Sequence, residues 1–205
     1  DYSNIPGENM IWADTNGNIG WQAVGIAPIR NNFSGLVPIL GDGSYEWDGY
    51  LPIIKKPNEY NPERGFIATA NQNVTPENYK FWNAIGYSWS DPYRGDRVNE
   101  VLNQKDPLNI EKMKDLQVDV TSLPAKKLIP ILDQILFDSK NSVLKEKLFD
   151  WNFELSPNSI PAAIYVSWEN EIKKLAHKKF VPKKAKEYIQ SIQLKKIIDW
   201  IEPVS

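Results

Sequence analysis

Residues 9–26 read NMIWADTNGNIGWQAVGI, and this stretch indicates how the N-terminal part of the chain folds. Two apolar and aromatic runs, Asn9 to Asp14 and Asn18 to Ile26, flank Thr15-Asn16-Gly17. An Asn-Gly pair between two such runs is a strong hairpin signal, because both residues tolerate a positive φ. Pro28 ends the second run. The stretch therefore predicts an antiparallel β-hairpin.

Downstream of the hairpin the pattern changes twice. Residues 31–64 are rich in Gly, Pro, Asn and Asp and predict a long ordered loop, whereas 65–70 (GFIATA) read as a short buried strand. Helical patterns begin near Pro76, so the change from strands to helices falls between about 75 and 90. We predict a β-rich segment over 1–75 and a mainly helical region over 76–205, an α+β fold.

Apolar residues at helical spacing predict the helices of the second region. Thr121 to Pro124 resemble an N-terminal cap, and Pro130 should end or kink the helix that follows. The predicted helices span 94–102, 109–116, the stretch from the cap at 121–124 to about 137, 142–149, 159–177 and 183–200.

Composition excludes several classes of function. The 205 residues have a net charge of −2, and the halves differ mildly: residues 1–100 carry 7 basic and 12 acidic side chains, and residues 101–205 carry 17 and 14. Nothing in this balance attracts nucleic acid or an anionic membrane, so neither is expected as a partner. The absence of cysteine excludes disulfides and thiolate chemistry. No signal peptide and no apolar run near the ~20 residues of a membrane span are found.

Searches for a self-contained catalytic or metal site find little. The single histidine, His177, could serve a triad, but its lysine-rich surroundings favour a solvated side chain. One His without Cys excludes a zinc site, and the Gly41-Asp42-Gly43 loop lacks the lysine of a phosphate-binding loop. Four acidic residues of the N-terminal part could bind calcium: Asp14, Asp42, Glu46 and Asp48. Their spacing does not fit an EF-hand loop, so we expect them to serve as ordinary turn and loop residues instead.

The chain resembles the penicillin acylases and acyl-homoserine-lactone acylases, which are N-terminal-nucleophile hydrolases. Residues 6–30 (PGENMIWADTNGNIGWQAVGIAPIR) carry the strand, the hairpin and the Gly-x-x-Pro-x-Arg exit of that family. Further blocks follow in the family order up to about residue 175: Glu46–Gly49 (EWDG), Asn61–Asn71 (NPERGFIATAN), Pro92–Val98 (PYRGDRV), a weaker match at Gln117–Leu132, then Leu148–Trp151 and Ser159–Trp168.

The resemblance implies a fold and a mechanism. The strands would belong to the layered αββα core of the catalytic β subunit, and this chain to its C-terminal part. The nucleophile would be an N-terminal serine located upstream, whose own α-amine serves as base. By resemblance, Asn71 donates to the oxyanion and Arg97 supports the site through hydrogen bonds.

Each assignment has an alternative. Without the flanking block, Asn71 would read as a turn residue, and Asn73 is a rival for its role. Arg97 out of context is a charge on a helix surface. Ser3-Asn4 is similar to the start of the family's catalytic chain, but the chain then passes directly to a mid-subunit block, which argues against Ser3 as nucleophile. Three more serines have no base in view and are expected to be structural: Ser34, Ser44 and Ser122.

The missing upstream segments suggest that this chain alone is inactive and is a processed subunit or a fragment. Its expected partners are the remaining part of the same precursor, namely the α subunit and the N-terminal part of the β subunit, and a small-molecule amide. No cofactor is expected. A structural calcium ion could bind the parent enzyme, but Ser88 stands where many relatives carry an acidic residue, which puts one ligand in doubt. The resemblance implies a periplasmic or secreted protein.

Three functional hypotheses remain open at the level of sequence. The first is part of an amide hydrolase that cleaves acyl side chains from penicillin-type antibiotics or N-acyl-homoserine lactones. The second is a non-catalytic module whose aromatic-rich loop, 31–60, grips a ligand such as a sugar. The third is a degenerate acylase homologue. In each case the strands of a lone fragment would expose edges prone to self-association.

Overall fold

The computed structural model describes residues 4–104 and 106–201. The chain divides into two compact units, the first ending at Ser90 and the second beginning at Asp91. The predicted change from β-rich to helical sequence at residues 75 and 76 falls within the first unit, and as a statement about domains it stays a prediction.

The predicted hairpin is confirmed. Strands β1 (Asn9–Ala13) and β2 (Ile19–Ala23) pair antiparallel, with Ile11 opposite Trp21. The Asp14 carboxylate holds the turn, because its Oδ1 atom accepts from the backbone N–H groups of Asn16 and Asn18, each at 2.9 Å. A bond from the Asn18 side chain and, after it, these backbone bonds hold the pKa of Asp14 below its usual 3.8. Asp14 therefore performs the turn chemistry that its position indicated.

A third strand lies within the segment that was predicted to be loop. Strand β3 (Asn58–Tyr60) pairs antiparallel with β2, giving the order β1-β2-β3. Asn61, with φ +43°, then closes the sheet, since its side-chain oxygen accepts from Ile19 N at 2.8 Å and its own N–H donates to Ile19 O at 2.9 Å. The strand escaped prediction because its three residues show no period and depend on β2 for their hydrogen bonds.

The prediction of a buried strand over 65–70 is wrong. That stretch forms no strand in the described part of the chain, and residues 66–70 are half-buried. Hydrogen bonds between nearby residues take the place of pairing with another strand. Ala70 N donates to the Gln72 Oε1 atom at 2.6 Å, and Gln72 Nε2 donates to Ala68 O at 3.4 Å.

Helices follow, and the α+β fold class is confirmed. In chain order they are α1 (Trp82–Ile85), α2 (Tyr93–Leu102), α3 (Ile110–Gln117), α4 (Leu123–Leu128), α5 (Ser139–Phe149), α6 (Ile160–Phe180) and α7 (Leu194–Ile201), with 3₁₀ turns at Ile53–Lys55, Ile129–Gln134 and Lys183–Ala185. None of the described helices is long and apolar enough to cross a membrane.

Side-chain caps begin several helices. The cap predicted at Thr121 to Pro124 is confirmed: Ser122 is the N-cap of α4, and its hydroxyl accepts from Ala125 N. Asn109 and Ser159 cap α3 and α6 in the same way. The kink predicted at Pro130 is also confirmed, because α4 ends at Leu128 and a 3₁₀ turn carries the proline.

The single helix predicted over 183–200 is wrong, because tertiary contacts divide it. Asp91 caps the start of α7 from a distant part of the chain: its carboxylate accepts from Leu194 N at 2.9 Å and Lys195 N at 3.0 Å. The Ile189 carbonyl lies 2.7 Å from the Nε2 atom of His177. These contacts select an eight-residue helix in place of a longer one.

Each unit has its own apolar core. In the first, Ala27, Leu51 and Ala84 are buried together. In the second, Leu128, Ile129 and Tyr165 are almost completely buried, with Trp151 packed against Tyr165 at 5.6 Å between ring centroids. Apolar burial of this kind is the main favourable term in folding each unit.

Candidate active site

Asn71 lies at a tight turn in the first unit. Its φ is +64°, a left-handed conformation that asparagine tolerates better than other residues with a β-carbon. Its backbone carbonyl accepts from Ser90 N at 3.1 Å, and this bond ties the turn to the end of the unit. The backbone of Asn71 is thus held by a contact some twenty residues further along the chain.

Asn71 lines an open cleft of about 710 Å³ that lies wholly within the first unit. The hairpin supplies one wall through Asn9 and Trp21, and Trp21 is fixed by a 2.8 Å bond from its indole Nε1–H to the Asn9 side-chain oxygen. The segment around Trp89 supplies another part of the lining. A cleft of this volume suits a small organic molecule, for which 300–1,000 Å³ is typical.

The rival asparagine is engaged differently. The Asn73 side-chain oxygen accepts from Thr75 N at 3.0 Å and so forms a turn of its own. Of the two asparagines, Asn71 is the one that lines the cleft. The oxyanion role of Asn71 remains a prediction, and its position in the cleft is compatible with that role.

Arg97 lies on α2 in the second unit, where each of its three guanidinium nitrogens donates to a carboxylate. Its Nε and Nη2 atoms donate to the two carboxylate oxygens of Asp119 at 3.1 and 2.7 Å, and Nη1 donates to Glu100 at 3.0 Å. The bidentate pair holds the pKa of Asp119 at about 2 and raises that of Arg97. The described bonds connect Arg97 to α2 and to the segment after α3, and its support of Asn71 remains a prediction.

The structure also shows how the other sequence candidates are used. His177 is half-buried rather than fully solvated, because its ring nitrogen bonds to the Ile189 carbonyl. Ser122 is buried as a helix cap, and the Ser34 hydroxyl accepts from Leu36 N. Ser44 donates its N–H to Asp42. Ser3 lies outside the described residues.

The acidic residues of the first unit serve loops. Asp42 holds a turn, and Asp48 accepts from the Asn31 side chain at 2.7 Å. Within residues 4–104 and 106–201, no three carboxylate or imidazole groups gather in a way that could hold a metal ion. Ser88 lines the cleft. A structural calcium ion in the parent enzyme stays a prediction.

Lys56 is the site residue that the sequence pattern missed. It is only 9% exposed, and its Nζ atom donates to the carbonyls of Val24 and Gly25 at 2.6 and 3.0 Å. Burial lowers its pKa below the usual 10.5. In the sequence it is one of two adjacent lysines, and nothing in the pattern distinguishes it from exposed Lys55.

Comparison with known proteins finds one family and relatives named as acylases. A family model described as penicillin amidase matches residues 1–204. An acyl-homoserine lactone acylase QuiP of Pseudomonas fluorescens Pf0-1 is 33% identical over 172 residues, which cover 77% of this chain and 21% of that protein. The penicillin G acylase of Escherichia coli is 32% identical over 109 residues, covering 53% of this chain and 13% of that protein. The chain therefore spans about a fifth or less of the length of these relatives.

A solved structure has the same fold. The thermostable penicillin G acylase from Alcaligenes faecalis aligns with a TM-score of 0.70 at 23% identity, covering 89% of this chain and 35% of that one. At this identity the likeness concerns the arrangement of the backbone. It agrees with an antiparallel sheet followed by helices.

Proposed function

Because this chain belongs to the penicillin amidase family, we propose that its parent protein is an amide hydrolase that releases an acyl group from a small-molecule amide. Two relatives are named for the amides they act on, an acyl-homoserine lactone and penicillin G. The proposal for this chain is that it supplies the oxyanion donor, while the nucleophile lies elsewhere in the parent. The single observation that supports this most is the position of Asn71 in the cleft.

The proposed reaction needs three groups. The hydroxyl oxygen of an upstream N-terminal serine attacks the amide carbonyl, and its proton passes to the free α-amine, whose pKa of about 7.7–8.0 leaves it partly neutral near pH 7. The carbonyl oxygen becomes negative as the tetrahedral intermediate forms. The C–N bond then breaks, the amine leaves with the proton, and water hydrolyses the acyl-enzyme.

Asn71 suits the donor role for physical reasons. A carboxamide N–H stabilises a negative oxygen without bringing a charge that would have to be desolvated. The left-handed backbone and the bond from Ser90 hold the residue in place before substrate binds. A donor that is already in position costs no reorganisation during the reaction, which is the condition for strong oxyanion stabilisation.

Arg97 is proposed as a positioning residue. Its bidentate bond to Asp119 fixes the guanidinium, and any remaining donor capacity could hold a carbonyl of the site in the assembled parent enzyme. The remaining partners proposed are the α subunit and the N-terminal part of the β subunit, which would supply the serine. We propose a periplasmic or secreted location for the parent by analogy with the family.

The test is substitution of Asn71 in the full-length parent protein. Asn71→Ala should lower kcat on phenylacetyl or long-chain acyl amides by a factor of about 10²–10³, because one oxyanion donor is lost. Steady-state kinetics on purified, processed enzyme measures this directly. Asn73→Ala is the matched control, since it removes a nearby carboxamide engaged in its own turn and should leave turnover within about two-fold of wild type.

Near-normal turnover of Asn71→Ala, in protein that is folded and processed, would refute the donor role. The alternative of a non-catalytic binding module is tested separately by the upstream gene sequence. A serine that follows a small residue at a processing junction supports the enzyme, and its absence supports the module. The chain of 205 residues expressed alone should show no turnover, because the proposal places the nucleophile outside it.

A further inference from the structure

The cleft that contains Asn71 is lined by cations without counter-charges. Two charged side chains, Arg30 and Lys56, contribute to its lining, and no Asp or Glu does among the described residues. Neither cation forms an ion pair within the part of the chain that the structure describes. The cleft therefore carries an excess positive charge, although the whole chain has a net charge of −2.

Lys56 holds its charge in an unusual setting. Two of its three N–H bonds are used by the carbonyls of Val24 and Gly25, which leaves one donor. Buried lysines are rare unless paired, because desolvation disfavours the charged form, and burial indeed lowers the pKa of Lys56. Carbonyl dipoles offset part of this cost, and an anion beside the ammonium would offset more.

Arg30 is fixed at the same cleft. Its Nε and Nη2 atoms donate to the carbonyls of Asn83 and Ala84, both at 3.2 Å. The guanidinium is enclosed by glycines: a β-carbon on Gly35 would lie 3.1 Å from Nη1, and one on Gly86 would lie 3.2 Å from Nη2. Because these backbone contacts hold the Arg30 guanidinium in place, its positive charge stays at a fixed point of the cleft lining.

We propose that this cleft selects amide substrates that carry a carboxylate, with Lys56 as the residue that determines this specificity. The inference rests on the proposed function, because it places the substrate in the cleft beside Asn71. A charge-assisted bond to an ammonium in a partly desolvated cleft is stronger than one between neutral groups. Complementary charge also increases the rate at which an anionic substrate reaches the cleft.

The proposal predicts different activity on the two substrate classes for which the relatives are named. A penicillin carries a carboxylate on the amine that leaves, whereas an acyl-homoserine lactone is neutral. The shared chemistry is a carboxylate, which could also lie on the acyl group. The parent enzyme should therefore prefer a penicillin-type or other acidic amide to a neutral lactone amide.

The experiment compares matched anilides with the full-length, processed parent enzyme. One phenylacetyl anilide bears a carboxylate on the aniline ring, a second bears a carboxamide in its place, and a third has a neutral aniline but a glutaryl group as the acyl chain. In wild type, a carboxylate substrate should show kcat/KM about ten-fold or more above the neutral one, since a hydrogen bond to an ionised group is roughly twice as strong as one between neutral groups. The arm that shows the preference identifies whether the carboxylate lies on the amine or on the acyl side.

Lys56→Met should lower kcat/KM on the carboxylate anilide several-fold more than on the neutral anilide, so that the preference falls towards one. Lys55→Met is the matched control, because it removes the same charge from an exposed neighbour and should keep the preference. If Lys56 only stabilised the fold, Lys56→Met would lower the rates on all three anilides by the same factor. Equal loss on charged and neutral substrates would therefore overturn the specificity role.

A measurement on wild type keeps the proposal testable if Lys56→Met does not fold. The ratio of kcat/KM between carboxylate and neutral anilides should fall with added salt, and fall as pH rises through the lowered pKa of Lys56. The ratio cancels the ionisation of the catalytic amine, which acts on both substrates. A ratio of kcat/KM near one, or a ratio that changes with neither salt nor pH, would overturn the specificity inference. If none of the anilides is hydrolysed, the proposed function itself is refuted.

Discussion

At the scale of single residues, Gly25 connects the hairpin to the proposed cleft. Its φ is +88°, and a β-carbon there would lie 2.6 Å from the Cα atom of Gly7, a backbone atom that cannot move aside easily. Its carbonyl accepts from Lys56 Nζ. The close approach of two backbone segments thus places the acceptor that holds the buried ammonium.

Gly25→Ala should destabilise the first unit more than Gly17→Ala does. Both glycines have a positive φ, which costs an L-residue roughly 1–2 kcal/mol, but Gly17 (φ +85°) has no atom within 4 Å of an added β-carbon. The backbone clash at Gly25 should add about 1–3 kcal/mol. Urea denaturation of the two variants measures the difference, and equal midpoints would contradict the clash.

The resemblance identified Asn71, but the sequence did not distinguish Lys56 from Lys55. A motif reports residue types and their order, so it can indicate an asparagine at a turn. Burial of one lysine and exposure of its neighbour depends on where the carbonyls of residues 24 and 25 lie, and only folding brings them near.

At the scale of secondary-structure elements, the bond between Arg97 and Asp119 joins α2 to the end of α3. Both side chains are mostly buried, with 21% and 18% of their surface exposed. The bidentate geometry makes this pair stronger than the exposed ion pairs elsewhere on the helices. It therefore ties α2 to the segment that follows α3.

Asp119→Asn should lower the stability of the second unit near neutral pH but not in acid. The folded-state pKa of Asp119, about 2, lies below the ordinary 3.8. A lowered pKa contributes stability above the ordinary value, and this contribution is lost as pH falls from about 4 to about 2. After allowance for partial exposure we expect a loss of about 1 kcal/mol near pH 7.

Urea denaturation followed by far-ultraviolet circular dichroism, at several pH values, tests this expectation. Wild type and Asp119→Asn should differ near neutral pH and converge near pH 2. Glu111→Gln is the control, because Glu111 pairs with Lys114 at an exposed site and should contribute little at any pH. A difference that persists in acid would show that packing, not charge, explains the effect.

At the scale of the whole molecule, the sheet of the first unit presents an apolar edge. Strand β1 lies at one side of the order β1-β2-β3, and all five of its residues are exposed. Met10, Ile11 and Trp12 are 51%, 54% and 43% exposed. An open edge with exposed apolar side chains is a template for pairing with another chain.

The chain expressed by itself should therefore self-associate as its concentration rises. Ile11→Lys places a charge on the edge strand and should shift the population towards monomer. Size-exclusion chromatography with light scattering measures both masses. A strictly monomeric wild-type chain at high concentration would contradict the expectation. In the parent enzyme, the remaining part of the precursor should cover the same edge.

Local sequence was sufficient for those features that local physics controls. Asn16-Gly17 predicted the hairpin, Ser122 the helix cap and Pro130 the break, because each acts on its own backbone or on residues a few positions away. Tertiary structure alone decided β3, the capping of α7 by Asp91 and the burial of Lys56. In each of these, the hydrogen-bonding partner lies far away in the sequence, so no local pattern records the bond.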